Sequence, residues 1–222
     1  MLLCGANGQL GAELRLAAPA WARIEATDRA SLDIADAQAV ERLVERIRPR
    51  LILNAAAYTA VDRAEEEREA AFAVNAKGPQ NLARAAQAAG AKLVHVSTDY
   101  VFDGAERRPY RPEDPVAPLS AYGASKAEGE KGLGEHALVI RSSWLYGAHG
   151  PNFVHTMLRL MRSREELRVV ADQVGSPTWA RGGAAPAPPP PPTTPTPRPP
   201  PPPPPPPHPE PAVRNDYRRT SS

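Results

Sequence analysis

Nineteen of the chain's 28 prolines fall between Pro186 and Pro211, and this bias decides how much of the sequence can pack. Proline fixes φ and removes a backbone donor, so the unbroken run Pro199–Pro207 can enter neither a helix nor a central strand. It is expected to be an extended, solvated polyproline II segment that builds no core. Pro197-Arg198-Pro199-Pro200 has the form of a ligand for an aromatic-lined SH3-type groove, but an inert compositional tail is the preferred reading. Core-forming residues must therefore come from the ordinary, mixed sequence that ends near Arg181. At 41% apolar content the chain can supply a core for one substantial domain and a small appendage.

Charge narrows the class of partner. The formal net charge is +2 with both signs interspersed, so no broad nucleic-acid or membrane-surface footprint is expected and a small molecule is favoured. Cys4 is the only cysteine, which excludes an internal disulfide framework and a thiolate cluster and fits a reducing compartment, taken as the cytoplasm. Met1 is not followed by a basic stretch and an apolar core of the secretory type, and no apolar run approaches membrane-spanning length. His95, His136, His149, His155 and His208 lack ligand spacing with one another, so no metal site is expected.

Short apolar runs alternate with helical periodicities. Leu2–Cys4, Ile24–Thr27, Leu51–Leu53, Lys92–Ser97 and Ala137–Ile140 read as strands. Asp36 can cap a helix in which Val40, Leu43, Val44 and Ile47 recur at helical spacing until Pro49. Glu65–Ala89 reads as helix, kinked or split at Gly78-Pro79; another begins near Ala121, and Phe153–Arg162 carries Phe153, Met157, Leu160 and Met161 on one side. The alternation implies an α/β fold with a parallel sheet covered on both faces.

Three clusters carry chemistry. Gly5-Ala6-Asn7-Gly8-Gln9-Leu10-Gly11 lies between a strand and a helix, where a dinucleotide-binding turn belongs. Gly5 allows the tight turn, Gly8 removes the side chain that would block a pyrophosphate, and Gly11 lets the helix pack closely; the helix N-terminus then attracts phosphate. About 20 residues on, Asp28 can accept from an adenosine ribose, while Arg29 can meet a 2′-phosphate, leaving NAD and NADP both open. Tyr122 and Lys126 share a helix face at i, i+4, where a nearby ammonium would lower the phenol pKa and let Tyr122 protonate a carbonyl oxygen. Ser97-Thr98-Asp99 ends a strand at the sheet edge where open α/β folds bind ligands, and a hydroxyl there can orient that carbonyl.

With these residues the chain resembles the extended short-chain dehydrogenase/reductases, and closely the dTDP-4-dehydrorhamnose reductase family. The likeness runs to about Ala180 and rests on GANGQLG, LDI, NAAAYTAVDRAE, VHVSTDYVFDG, YGASKAEGE, RSSWLYG and DQVGSPT. It implies a Rossmann-type doubly wound sheet in residues 1–145, an incomplete substrate-binding region in 146–180 and a proline-rich, disordered tail in 181–222. It also implies reduction of the 4-keto group of dTDP-4-dehydro-L-rhamnose by NADPH or NADH. Gly8, Gln9 and Leu10 would meet the pyrophosphate, Asp28 the ribose region and Asp33-Ile34 the adenine. Ala57-Tyr58-Thr59 and Val96 or Ser97 would line the cofactor. Thr98, Tyr122 and Lys126 match the catalytic trio, with Lys126 also on the nicotinamide ribose, and Thr98, Asp99 and Trp144 match substrate-binding positions. A homodimer is left open.

Tyr100 stands where related dehydratases typically carry the glutamate needed to eliminate water, which sets that chemistry aside. The first strand is short, and Arg181-Gly182-Gly183 leads into polyproline where the family continues with helices. A frame-shifted or truncated C-terminus is the expectation. The alternatives to a reductase are a non-catalytic, regulatory cofactor-binding relative and an inactive truncated product.

Overall fold

The computed structural model describes residues 1–170 and 172–184; the proline run lies outside them. β1 (Leu2–Cys4) forms because three apolar residues precede a glycine, and all three are buried. Around it lie β2 (Glu25–Thr27), β3 (Leu51–Asn54), β4 (Lys92–Thr98) and β5 (Ala137–Ser142), in the order β2-β1-β3-β4-β5 with every pairing parallel. This is the expected Rossmann-type sheet. Register places Leu2, Ile52 and Leu93 side by side, so they share a face.

Helices cover that face. The helix after β1, α1 (Gln9–Ala17), contributes no side chain to the core on that face. Next, α2 (Ala37–Ile47) begins where the Asp36 carboxylate accepts from the Ala39 N–H at 3.0 Å, and it ends on Arg48 in the left-handed region ahead of Pro49. Its buried Val40, Leu43 and Val44 meet Leu82, Ala85 and Ala86 of a later helix over Leu2, Ile52 and Leu93 in one cluster. Each of the valine, leucine and isoleucine side chains contributes about 1.5–3 kcal/mol by leaving water, and each alanine less.

The long helix expected over 65–89 is broken twice. Separate turns α3 (Arg63–Glu66) and α4 (Arg68–Phe72) meet at Glu67, whose backbone leaves the helical region. A π-helical turn, Ala73–Lys77, then leads into α5 (Gly78–Ala89), so Pro79 sits in a first turn, where its missing N–H is harmless. After β4 a short 3-10 turn (Asp99–Val101) and a long loop lead to α6 (Ala121–Lys131).

The opposite face is less covered than expected. Leu138 and Ile140 of β5 remain 58% and 45% exposed because no described helix lies on them. Beyond β5, β6 (Leu145–Tyr146) pairs with β7 (Thr178–Trp179), flanked by α7 (Phe153–Met161) and α8 (Ala180–Ala184). The Phe153–Met161 side of α7 is not a core face among the described residues: the helix buries none of its side chains. Polar contacts tie this region to α1. Gln9 Nε2 donates to the Leu145 carbonyl at 3.0 Å, and buried Glu13 meets His149 Nδ1 at 3.0 Å and Arg181 Nε at 3.3 Å.

The strand order positions the site. From β2 the chain returns past β1 to form β3, so the connections leaving β1 and β3 diverge and open a crevice at the strands' carboxyl ends. Among the described residues no helix is long and apolar enough to cross a membrane, and no cluster of three or more His, Cys, Asp or Glu could hold a metal ion.

Candidate active site

The crevice is a cleft of about 1020 Å³ that runs from the glycine turn to α6. Gly5 enters it with φ +78°, and a Cβ there would sit 2.6 Å from the Ala56 nitrogen, so β1 and β3 touch where they end. Gly8 caps α1 in extended conformation with no side-chain cap, and a Cβ added to it would meet only the Gly5 carbonyl. Uncapped helix N–H groups thus face space that an anion can enter.

On the far side of the turn, Asp28 follows β2. Asn7 Nδ2 donates to one carboxylate oxygen at 2.5 Å, while the Ser31 N–H and hydroxyl donate to the other at 3.0 and 2.8 Å. The Ser31 bonds hold its pKa below the usual carboxylate range. Arg29, Asp33 and Ile34 line the same end of the cleft. Along its wall run Ala57, Tyr58 and Thr59, pinned by Asn75 of the π-helical turn. The Asn75 Oδ1 accepts from the Tyr58 N–H at 2.8 Å, and its Nδ2 donates to the Tyr58 carbonyl and the Ser125 hydroxyl, each at 3.0 Å. A π-bulge at a functional cleft is the usual place for one.

α6 carries Tyr122 and Lys126, the pair expected to react. Its first turn is fixed twice: the Ser120 hydroxyl accepts from the Gly123 N–H at 3.0 Å, and the Glu65 carboxylate accepts from the Ala121 N–H at 2.7 Å. Tyr122 and Lys126 then fall on one face, both lining the cleft. Lys126 is 1% exposed, and its Nζ donates to the Val96 carbonyl at 2.7 Å. Burial pushes its pKa down to about 8. Tyr122 moves the other way from the expectation. Burial, aided by the Asp99 carboxylate, raises the phenol pKa, with the Thr98 hydroxyl opposing. The lysine charge is directed at Val96 and does not offset that burial.

Thr98 ends β4, donating to Asp99 Oδ1 at 3.1 Å and accepting from the Tyr100 N–H at 3.2 Å. Asp99 has its pKa raised by burial. Beside them the Ser97 hydroxyl oxygen is buried without a hydrogen-bond partner, alone in this among the described residues' buried side-chain polar atoms. A buried hydroxyl that faces a cleft unpaired is an invitation to a polar ligand. Trp144 closes the far end with φ 46°, a left-handed conformation uncommon outside glycine.

Of the expected site residues, Gly5, Gly8, Gln9, Leu10, Asp28, Asp33, Ile34, Ala57, Tyr58 and Thr59 line the glycine-turn end of the cleft. Val96, Ser97, Thr98, Asp99, Tyr122, Lys126 and Trp144 line the other end. Gly11 does not; it lies behind the turn, where a Cβ would come within 2.8 Å of Ala6 Cα. Sequence reasoning missed Asn7, Asn75, Ser142 and Ser143. A polar residue interrupting the alanine-rich stretch was the available signal for Asn75.

The model of the RmlD substrate binding domain family matches residues 1–186. The chain belongs to that family. This RmlD-family chain is 45% identical to the dTDP-4-dehydrorhamnose reductase of Burkholderia thailandensis over 184 residues, which covers 82% of the chain and 62% of that protein. It is 42% identical to the spore coat polysaccharide biosynthesis protein SpsK of Bacillus subtilis, over 82% of the chain and 65% of that protein. The crystal structure of dTDP-4-dehydrorhamnose reductase from Bacillus anthracis in complex with NADP superposes with TM-score 0.80 at 46% identity, covering 82% of this chain and 66% of that one. The RmlD-family chain thus spans just under two thirds of these relatives' lengths.

Proposed function

We propose that this protein reduces the 4-keto group of dTDP-4-dehydro-L-rhamnose to an alcohol with NADPH or NADH. The observation that carries the reading is the meeting of Thr98, Tyr122 and Lys126 with the glycine turn in one cleft. The names of its relatives support the substrate, and the NADP complex of a 46% identical neighbour supports the cofactor. The open space beside Gly8 and the orphan hydroxyl of Ser97 fit such a group.

When bound, the reduced nicotinamide supplies hydride. The α1 N-terminus with Gly8, Gln9 and Leu10 takes the pyrophosphate, Asp28 the ribose, and Asp33-Ile34 the adenine. Ala57, Tyr58, Thr59, Val96 and Ser97 flank the rest, and the Lys126 ammonium holds the nicotinamide ribose. At the other end Thr98 donates to the sugar carbonyl oxygen, while Asp99 and Trp144 place the sugar. Tyr122 gives its proton to that oxygen; burial keeps the phenol protonated and ready to donate, at a cost in acid strength. The protein is assigned to the cytoplasm, with the dTDP-sugar as partner and a homodimer left open.

The test is oxidation of NADPH or NADH by the purified full chain with dTDP-4-dehydro-L-rhamnose, compared with Tyr122→Phe. Tyr122→Phe should lower kcat by about 100-fold or more and still bind cofactor. Wild-type protein that binds cofactor and never turns over would sink the reductase reading in favour of a non-catalytic, regulatory relative or an inactive truncated product.

A further inference from the structure

His95 lies in the middle of β4, fully buried, and the proposed reaction gives it no role. Its Nδ1 is 3.0 Å from Asn54 Nδ2, and its Nε2 is 3.4 Å from Lys126 Nζ. The direction of these bonds follows from one backbone contact. The Ala56 N–H donates to Asn54 Oδ1 at 3.1 Å, which leaves the Asn54 amide nitrogen facing the imidazole. An amide nitrogen only donates, so His95 Nδ1 must accept. The neutral ring then carries its proton on Nε2, and that N–H points at Lys126.

An ammonium has three donors and no lone pair. Facing an N–H, it meets a like-signed dipole; as a neutral amine it can accept the N–H and still donate to the Val96 carbonyl at 2.7 Å. We infer that His95, held in its Nε2–H tautomer by Asn54, is a positioning residue that readies Lys126 to give up a proton. This rests on the reductase reading for its purpose. Once Tyr122 has protonated the substrate oxygen, a phenolate remains. A Lys126 N–H bond breaks, its proton passes to the phenolate oxygen one helical turn away, directly or over a water, and the amine lone pair accepts the His95 N–H. Solvent later returns one proton to the amine, so hydride and proton are both accounted for.

The titratable neighbours of Lys126 pull both ways: the His95 N–H on β4 opposes its charge and Glu130 on α6 favours it, while Asp99 and Tyr122 line the same cleft. Glu130 favours the ammonium, but Arg141 holds its carboxylate, Nη2 to Oε2 being 2.7 Å. His95 itself is kept neutral, its pKa pushed down to about 2 by burial and by the Lys126 charge.

The experiment is NMR on the full chain without cofactor or sugar, reading the His95 ring nitrogens and the titration of isotope-labelled Lys126. Wild type should show His95 neutral with its proton on Nε2. Asn54→Asp presents a second acceptor, which draws the proton to Nδ1 and turns the Nε2 lone pair toward Lys126. Its Lys126 midpoint should rise by about one pH unit or more. Adding His95→Phe should remove most of the rise, leaving only the direct attraction between the new carboxylate and the Lys126 ammonium. A wild-type ring protonated on Nδ1, an unmoved midpoint, or a rise that survives undiminished in the double variant overturns the inference. If Asn54→Asp does not fold, the wild-type tautomer decides. Since none of these readouts needs turnover, a failed sugar assay with the expected tautomer rejects the reductase reading alone.

Discussion

Gly5 shows how much a single atom decides. With φ +78° and Ala56 at 2.6 Å, Gly5→Ala adds about 1–2 kcal/mol of backbone strain to a clash with β3 that cannot relax without moving the phosphate site. The variant should lose cofactor binding, by fluorescence titration, well before it loses its helical circular dichroism signal; unchanged affinity would refute the close approach. The glycine's role was readable because a tight turn leaves few residue types free. Tyr122 and Lys126 were readable for a similar reason: one helical turn separates them, and a local spacing is visible in a string. The direction of the tyrosine's pKa was not, since it depends on burial by residues far along the chain. Asn54 and His95 stand 41 positions apart, and only the pairing of β3 with β4 reveals that they touch.

At the scale of elements, α2 was the easiest to foresee, with a cap, a periodic apolar face and a proline stop. Asp36→Ala should cost about 1 kcal/mol in urea unfolding, and Asp36→Asn almost nothing, because either side chain can accept from the Ala39 N–H. Equal losses in both would mean that the carboxylate charge, not the cap, matters. The stretch from Arg63 to Ala89 was harder. Its composition favours helix except at Gly78-Pro79, yet the irregularity falls just before that pair, where a π-helical turn swings Asn75 onto both backbone groups of Tyr58, a demand made by the cleft wall and invisible to propensity. α7 illustrates the reverse: an apolar side written clearly in the sequence that finds nothing to cover it among the described residues.

For the molecule as a whole, alternation of strands and helices was enough to foresee a parallel sheet, because parallel neighbours require crossovers and those have one hand. It could not say that one face of β5 would stay open among the described residues, which depends on what packs there and not on the strand itself. The order of strands also governs time. β1 sits between β2 and β3, with Leu2 opposite both Glu25 and Ile52, so the glycine turn stays half a site until the chain has run out to the sheet edge and come back. Such non-local pairing comes late in folding and is slow. A dinucleotide should therefore recognise only the finished sheet. At 100 times its Kd it adds about 2.7 kcal/mol, and stopped-flow should find that increment in a slower unfolding rate with the refolding rate unchanged. Faster refolding would show that the turn binds before β3 arrives. With the refolding rate unchanged, the cofactor acts as a latch on an assembled protein and not as a template for its assembly.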